Sequence, residues 1–182
     1  MSENIPENTN NNQNELKYPS GEMLLSIIQK EYDYESARKS ALETRSGVLI
    51  TLAAAILTFT FSNVKLPKIK TPINDFPSLI FYVSYFLIAV VSVVTVVISL
   101  CYLMRVIFIA EYKRFETETL NTRNGKFQPD IVAMSLTEQY QEIISHNQLA
   151  NNKKTDLYRK GTNYMIISLF ASVILYGIAL NL

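Results

Sequence analysis

The chain has 182 residues with a formal net charge of +1, one cysteine and one histidine. That balance speaks against a duplex nucleic-acid binder, which carries a strong basic patch, and one Cys with one His excludes an internal disulfide and a His/Cys metal cluster. The 48% hydrophobic fraction is ordinary, but the charges are unevenly placed: residues 46–64, 76–104 and 161–182 contain none.

Residues 1–19 are predicted to be a disordered tail, because the first 14 are rich in Asn, Glu and Ser and bury too little to offset their ordering entropy. Pro19 and Ser20 mark a helix start, with Ser20 as N-cap and Glu22 in the first turn. No proline follows until Pro67. One helix is therefore expected from Gly21 to about Phe61, roughly 60 Å long at 1.5 Å per residue, with Gly47 its one soft point. Residues 20–45 are assigned to a water-exposed helix and 46–64 to a first transmembrane span. A bilayer core of about 30 Å takes roughly 20 apolar helical residues, which this run supplies. Its start is amphipathic through Leu24, Ile27, Ile28, Ala37, Ala41 and Leu42, a pattern that asks for a partner helix. The preceding acidic stretch is unlike a secretory signal, so the span is expected to stay in the mature protein.

Pro67, Pro72 and Pro77 place a loop at residues 65–77, on the far side of the membrane. Residues 78–104 form the second span. Its Val and Ile content would suit a strand in water, but the length of the uncharged run favours a helix in lipid. Met104, Ile107, Phe108, Tyr112 and Phe115 recur every three or four residues, which predicts that this helix continues until Asn124, Gly125 and Pro129 end it. Ser135 and Glu138 fit a capping box opening a third helix with an apolar stripe of Leu136, Tyr140, Ile143 and Ile144. That helix completes a helical region at 105–160 and enters a third span at 161–182.

Basic residues flank the spans on one side: Arg38, Lys39 and Arg45 before the first, Arg105, Lys113 and Arg114 after the second, and Lys153, Lys154, Arg159 and Lys160 before the third. The loop at 65–77 offers only Lys65, Lys68 and Lys70. The positive-inside rule then puts the N-terminus and residues 105–160 in the cytoplasm, in a bacterial inner membrane. The expected fold class is an all-α membrane protein of about three transmembrane helices, two or three of them extended into a cytoplasmic helical bundle, assembled as a homo-oligomer.

On a helical wheel the second span gathers Ser84, Ser92, Thr95, Ser99 and Tyr102 into one hydroxyl stripe. The functional reading is the wall of a water-filled path in an oligomer, and the packing reading is close helix approach. The first span has a similar face of Gly47, Thr51, Ala54, Thr58 and Ser62, and the third has one of Gly161, Ser168, Ser172 and Ala179. Three such stripes cannot all line a pore, so at least two are expected to pack helices. Arg45 and Arg105 are candidates for a pore mouth, although flanking basic residues more often serve as headgroup anchors. No acid, base or His lies inside a span, which argues against a pump or carrier.

No nucleophile, acid and base constellation is present, and no phosphate-binding loop, so an enzyme is not expected and no cofactor is implied. The mixed charges before the first span read as a solvated face with i,i+4 pairs such as Glu35 with Lys39. Lys113, Arg114, Arg123 and Lys126 are the candidates for receiving an anionic ligand such as a nucleotide second messenger.

The segment E-Y-D-Y-E-S-A-R-K-S-A-L-E-T-R-S-G-V-L-I-T-L-A-A-A-I-L-T-F, residues 31–59, resembles the signature of small bacterial anti-phage membrane effectors: Pycsar and CBASS transmembrane effectors, SLATT-like proteins and the membrane partner of Hailong-type systems. In these a charged helix flows straight into a small-residue span. The match rests on Arg38, Lys39, Leu42, Glu43, Arg45, Ser46 and Gly47, within a segment of 29 of the chain's 182 residues. The resemblance implies a protein held silent beside a nucleotide-producing enzyme and released to permeabilise the membrane. The expected function is thus a ligand-gated or cue-gated oligomeric ion pore, with the bilayer, further copies of the chain, and a second messenger or its synthase as partners. A non-conducting anchor for a soluble partner protein is the alternative.

Overall fold

A computed structural model describes residues 16–63, 76–109, 112–119, 122 and 124–179. They form three helices, α1 (Gly21–Asn63), α2 (Phe76–Phe108) and α3 (Pro129–Ala179), with 3-10 turns at Thr117–Thr119 and Asn124–Lys126, and no strand is present among the described residues. Three helices are long and apolar enough to cross a membrane. The chain divides into two compact units, residues 1–34 with 113–146 and residues 35–112 with 147–182. The expected tail at 1–19 and loop at 65–77 lie mostly outside the described residues.

α1 begins where the Tyr18 carbonyl accepts the Gly21 N–H at 2.9 Å and the Ser20 carbonyl accepts that of Leu24 at 3.0 Å. It then runs 43 residues without a break. Gly47 does not interrupt it, since a single glycine costs an isolated helix only about 1 kcal/mol and the Thr51 hydroxyl donates to the Gly47 carbonyl at 3.2 Å.

Two helix boundaries differ from the sequence expectation. α2 ends at Phe108 instead of continuing toward Asn124. The three-and-four spacing of aromatics is satisfied without a helix, because in the first unit Phe115 stacks on Tyr140 at 4.9 Å. α3 starts at Pro129 and puts Ser135 and Glu138 inside the helix, so no capping box forms there. Proline is preorganised for the first helical turn, and Asp130 beside it favours the dipole.

In the first unit Asp130 also accepts the Tyr18 N–H at 2.7 Å, so one carboxylate serves the N-terminal ends of two helices. Gly21 permits this approach, since a Cβ there would lie 2.8 Å from the Asp130 carbonyl oxygen. Tyr32 meets Tyr140 edge-on at 5.3 Å.

In the second unit α1 and α3 run parallel, as the contacts of Glu43 with Lys154 and of Thr60 with Ser172 require. α2 runs antiparallel to both, pairing Ser92 with Ser172 and Ser99 with Gly161. The buried positions of α2 are Tyr85, Ala89, Ser92, Val96, Ser99, Leu103 and Val106. They alternate four and three apart, a 3.5-residue repeat that keeps one seam facing its partners. Ala53, Ile56, Val96, Leu103 and Met165 form one apolar cluster, and Tyr85, Ala89, Leu175 and Ala179 another. Along the uncharged runs large apolar side chains face outward while several hydroxyls lie inside: Val83, Phe86 and Phe170 are 57%, 63% and 64% exposed while Ser92, Ser99 and Ser168 are fully buried. Water would penalise that distribution and hydrocarbon does not.

Candidate functional site

The spans sort their small and hydroxyl residues into two groups. α2 and α3 turn theirs toward one another: Ser92 and Ser172 share a hydrogen bond at 2.7 Å, Ser172 and Thr60 another at 2.9 Å, and the Ser92 hydroxyl lies 3.4 Å from the Ser168 carbonyl. Ser99 donates to the Gly161 carbonyl at 2.7 Å. Thr60 also donates to Ile56 O at 2.8 Å and Ser168 to Met165 O at 2.7 Å, so each of these buried hydroxyls has a partner. Such interhelical bonds contribute about 0.6 kcal/mol each in membranes.

The α2 stripe therefore does not form one outward wall. It straddles the edge of the buried seam: Ser92 and Ser99 are fully buried inside the subunit, Ser84 is exposed, and Thr95 is half-buried with its hydroxyl returned to Val91 O at 2.7 Å. Tyr102, also half-buried, stacks on Tyr164 at 5.7 Å. The outward hydroxyl face belongs to α1 instead. Thr51, Ala54, Thr58 and Ser62 are exposed, and a Cβ on Gly47 would meet nothing within 4 Å. Thr58 and Ser62 return their hydroxyl protons to Ala54 O and Thr58 O, 3.0 and 2.8 Å away. Beside this face, a cavity of about 320 Å³ lies between α1 and α3, lined by Ala55, Ile56, Phe59, Leu169, Ser172 and Val173.

The charged signature at 38–47 builds a polar interior at one end of the same unit. Asn151, fully buried, donates to both the carbonyl and the carboxylate of Glu35, at 2.9 and 2.6 Å. Arg38 reaches Asn152 Oδ1 at 3.0 Å, Thr155 Oγ1 at 3.2 Å and the Glu35 carboxylate at 3.5 Å. The expected Glu35 to Lys39 pair is replaced by this set, because Glu35 is 3% exposed and turned toward α3. One turn on, Lys154, 1% exposed, pairs with Glu43. Lys39 stands 4.0 Å from the same carboxylate and 4.6 Å from the centroid of the Tyr112 ring. Ser46 Oγ and Asn151 Oδ1 are buried without a hydrogen-bond partner among the described residues. Arg45 and Arg105, the mouth candidates, are both exposed. Sequence reasoning missed the buried role of Lys154, which it grouped with flanking basic residues. The signal available was its place in the repeat Asn147, Asn151, Lys154.

In the first unit, Lys113 and Arg114 border a cavity of about 330 Å³ with Glu116, Gln139, Glu142 and Ile143. Lys113 bonds the Glu142 carboxylate at 3.2 Å, so the cations of this cavity face carboxylates of equal number. Lys126 is exposed, and Arg123 lies outside the described residues. No group of three or more metal-ligating side chains occurs among the described residues. No protein-family model, curated protein or solved structure matches this chain.

Proposed function

We propose that this chain is a membrane effector of bacterial anti-phage defence that assembles into a homo-oligomeric ion pore, with the Gly47, Thr51, Thr58 and Ser62 face of α1 directed at the pore axis. The observation that carries the reading is that this is the outward hydroxyl face left over once Ser92, Ser99, Ser168 and Ser172 have been consumed inside the subunit. A ring of such faces offers hydroxyl oxygens to a hydrated ion while the Val, Leu and Phe faces of α2 and α3 meet lipid. Three helices are too few to enclose water alone, so closure needs symmetry. In this reading the N-terminus is cytoplasmic in the inner membrane, Arg45 and Arg105 ring the inner mouth, and a nucleotide second messenger at Lys113, Arg114, Arg123 and Lys126 is the cue. The effector role and the cue draw their support from the signature at Arg38 to Gly47.

The test is potassium efflux from proteoliposomes of purified protein, with cyclic and linear oligonucleotide messengers added in turn. Efflux that Thr58→Leu and Thr51→Leu abolish while Ser84→Leu and Thr95→Leu spare supports the reading. No efflux with any messenger, or equal loss with all four substitutions, overturns it.

A second reading, a non-conducting anchor for a soluble protein, has its own observation. Met23, Leu24, Ile27 and Tyr34 on α1 are 67%, 41%, 52% and 63% exposed in the first unit, outside the uncharged runs. A stable co-purifying partner lost on Ile27→Asp, together with no efflux, favours it.

A further inference from the structure

The end of the second unit that carries the signature is held together differently from the spans. There the inward residues of α1 are Glu35, Leu42, Ser46 and the half-buried Glu43, and those of α3 are Asn147, Ala150, Asn151 and Lys154. The apolar cluster of Ala53, Ile56, Val96, Leu103 and Met165 stands about two to three turns farther along. A buried ion pair adds little net stability, because desolvation offsets its Coulomb attraction, yet removing one partner strands the other. Ser46 Oγ and Asn151 Oδ1 have no hydrogen-bond partner among the described residues, and water entering between α1 and α3 would supply one. A closed layer of this composition has a hydrated alternative close in free energy. The interior of the spans has none, since hydrocarbon supplies no partner for a hydroxyl that leaves its neighbour.

We propose that Glu43 and Lys154, with Glu35, Arg38 and Asn151 beside them, form a latch that holds α1 against α3 in the silent subunit and lets go when the pore assembles. The inference rests on the pore reading for what the latch controls. Its mechanics follow from α1 being one uninterrupted helix: a tilt of its 35–46 segment away from α3 is carried to the outward face at Gly47, Thr51 and Thr58. While Glu43 holds Lys154, that face keeps its resting orientation. When the pair parts, both charges are taken up by water at the membrane surface and α1 is free to meet a second copy.

The experiment uses full-length protein in proteoliposomes, with Cys101→Ala and a reporter thiol at Ser46→Cys. Two readouts are taken: the rate of labelling by a membrane-impermeant maleimide, and potassium efflux. Lys154→Ala is expected to speed labelling roughly tenfold or more, as Glu43, 32% exposed and paired with Lys39, loses its partner on α3 and draws water into the layer. Glu43→Leu with Lys154→Met is expected to label more slowly than the reporter parent, because an apolar pair leaves nothing to hydrate. The exchange Glu43→Lys with Lys154→Glu should bring the rate back toward the parent's without reaching it, because Lys39 then faces a like charge one turn away. Unchanged labelling in Lys154→Ala overturns the latch, and so does fast labelling of the apolar pair. If Lys154→Ala does not fold, the apolar pair alone decides. Labelling that follows these expectations without efflux from any variant upholds the latch and sinks the pore. Efflux that changes while labelling does not upholds the pore and sinks the latch.

Discussion

Leu103 packs onto the bare Cα of Gly161: a Cβ at residue 161 would sit 2.8 Å from Leu103 Cγ and 3.4 Å from the Leu103 backbone nitrogen. Leu103 is fully buried, so it has no room to withdraw. This is where α2 and α3 come close enough for Ser99 to donate to the Gly161 carbonyl. Gly161→Ala is therefore expected to destabilise the protein by about 1–3 kcal/mol despite the better helix propensity of alanine. Unfolding in detergent, followed by circular dichroism, checks it; an unchanged midpoint would contradict the contact.

Ser172 joins Thr60 and Ser92, and its removal is partly compensated because Thr60 keeps Ile56 O as an acceptor. Ser172→Ala should cost roughly 0.5–1.5 kcal/mol. A double-mutant cycle with Ser92→Ala should give a coupling within that range, and strict additivity would show that the two hydroxyls do not interact.

The outward face of α1 should behave in the opposite way. Gly47→Leu and Thr58→Leu add side chains where the subunit has open space, so the unfolding midpoint should move by no more than about 0.5 kcal/mol. Chemical cross-linking in membranes should then lose its higher-order bands. Intact cross-linking would show that the copies meet elsewhere.

For the ion pair, Lys154→Ala is expected to destabilise by about 2–4 kcal/mol, toward the lower side for a buried pair because the Glu43 side chain keeps 32% exposure. Glu43→Leu with Lys154→Met should match or exceed the parent in the same unfolding assay. A double variant as unstable as the single one would mean that packing, not charge, governs this position.

Cys101 is exposed on α2 within the uncharged run at 76–104. In intact vesicles it should be shielded from a charged maleimide, which does not partition into hydrocarbon, and accessible to a membrane-permeant one. Rapid labelling by the charged reagent would place this part of α2 in water.

The absence of charge over 46–64, 76–104 and 161–182 made the three helices long and apolar enough to cross a membrane legible, because length and transfer free energy along a helix are local properties. The ends of the helices were less so. Phe108, Tyr112 and Phe115 read as one helical stripe, yet Phe115 meets its apolar partner, Tyr140, from a non-helical segment. Periodicity reports that aromatics need cover and not which backbone delivers them. Ser135 and Glu138 had the right spacing for a cap, but Pro129 and Asp130 nucleate α3 earlier, and an established helix does not restart.

What the sequence determined by itself was which segments are apolar over a membrane-spanning length and the existence of three hydroxyl-bearing faces, since both follow from residue identity and helical spacing. Only the tertiary structure decided which faces would be inside. Ser92 and Thr58 are alike as single residues on apolar helices, and they part company because Ser92 finds Ser172 across an interface while Thr58 returns its proton to its own backbone. Lys154 likewise became an interior residue through Glu43, which lies 111 positions away. Those outcomes depend on which helices meet, and no local pattern carries that pairing.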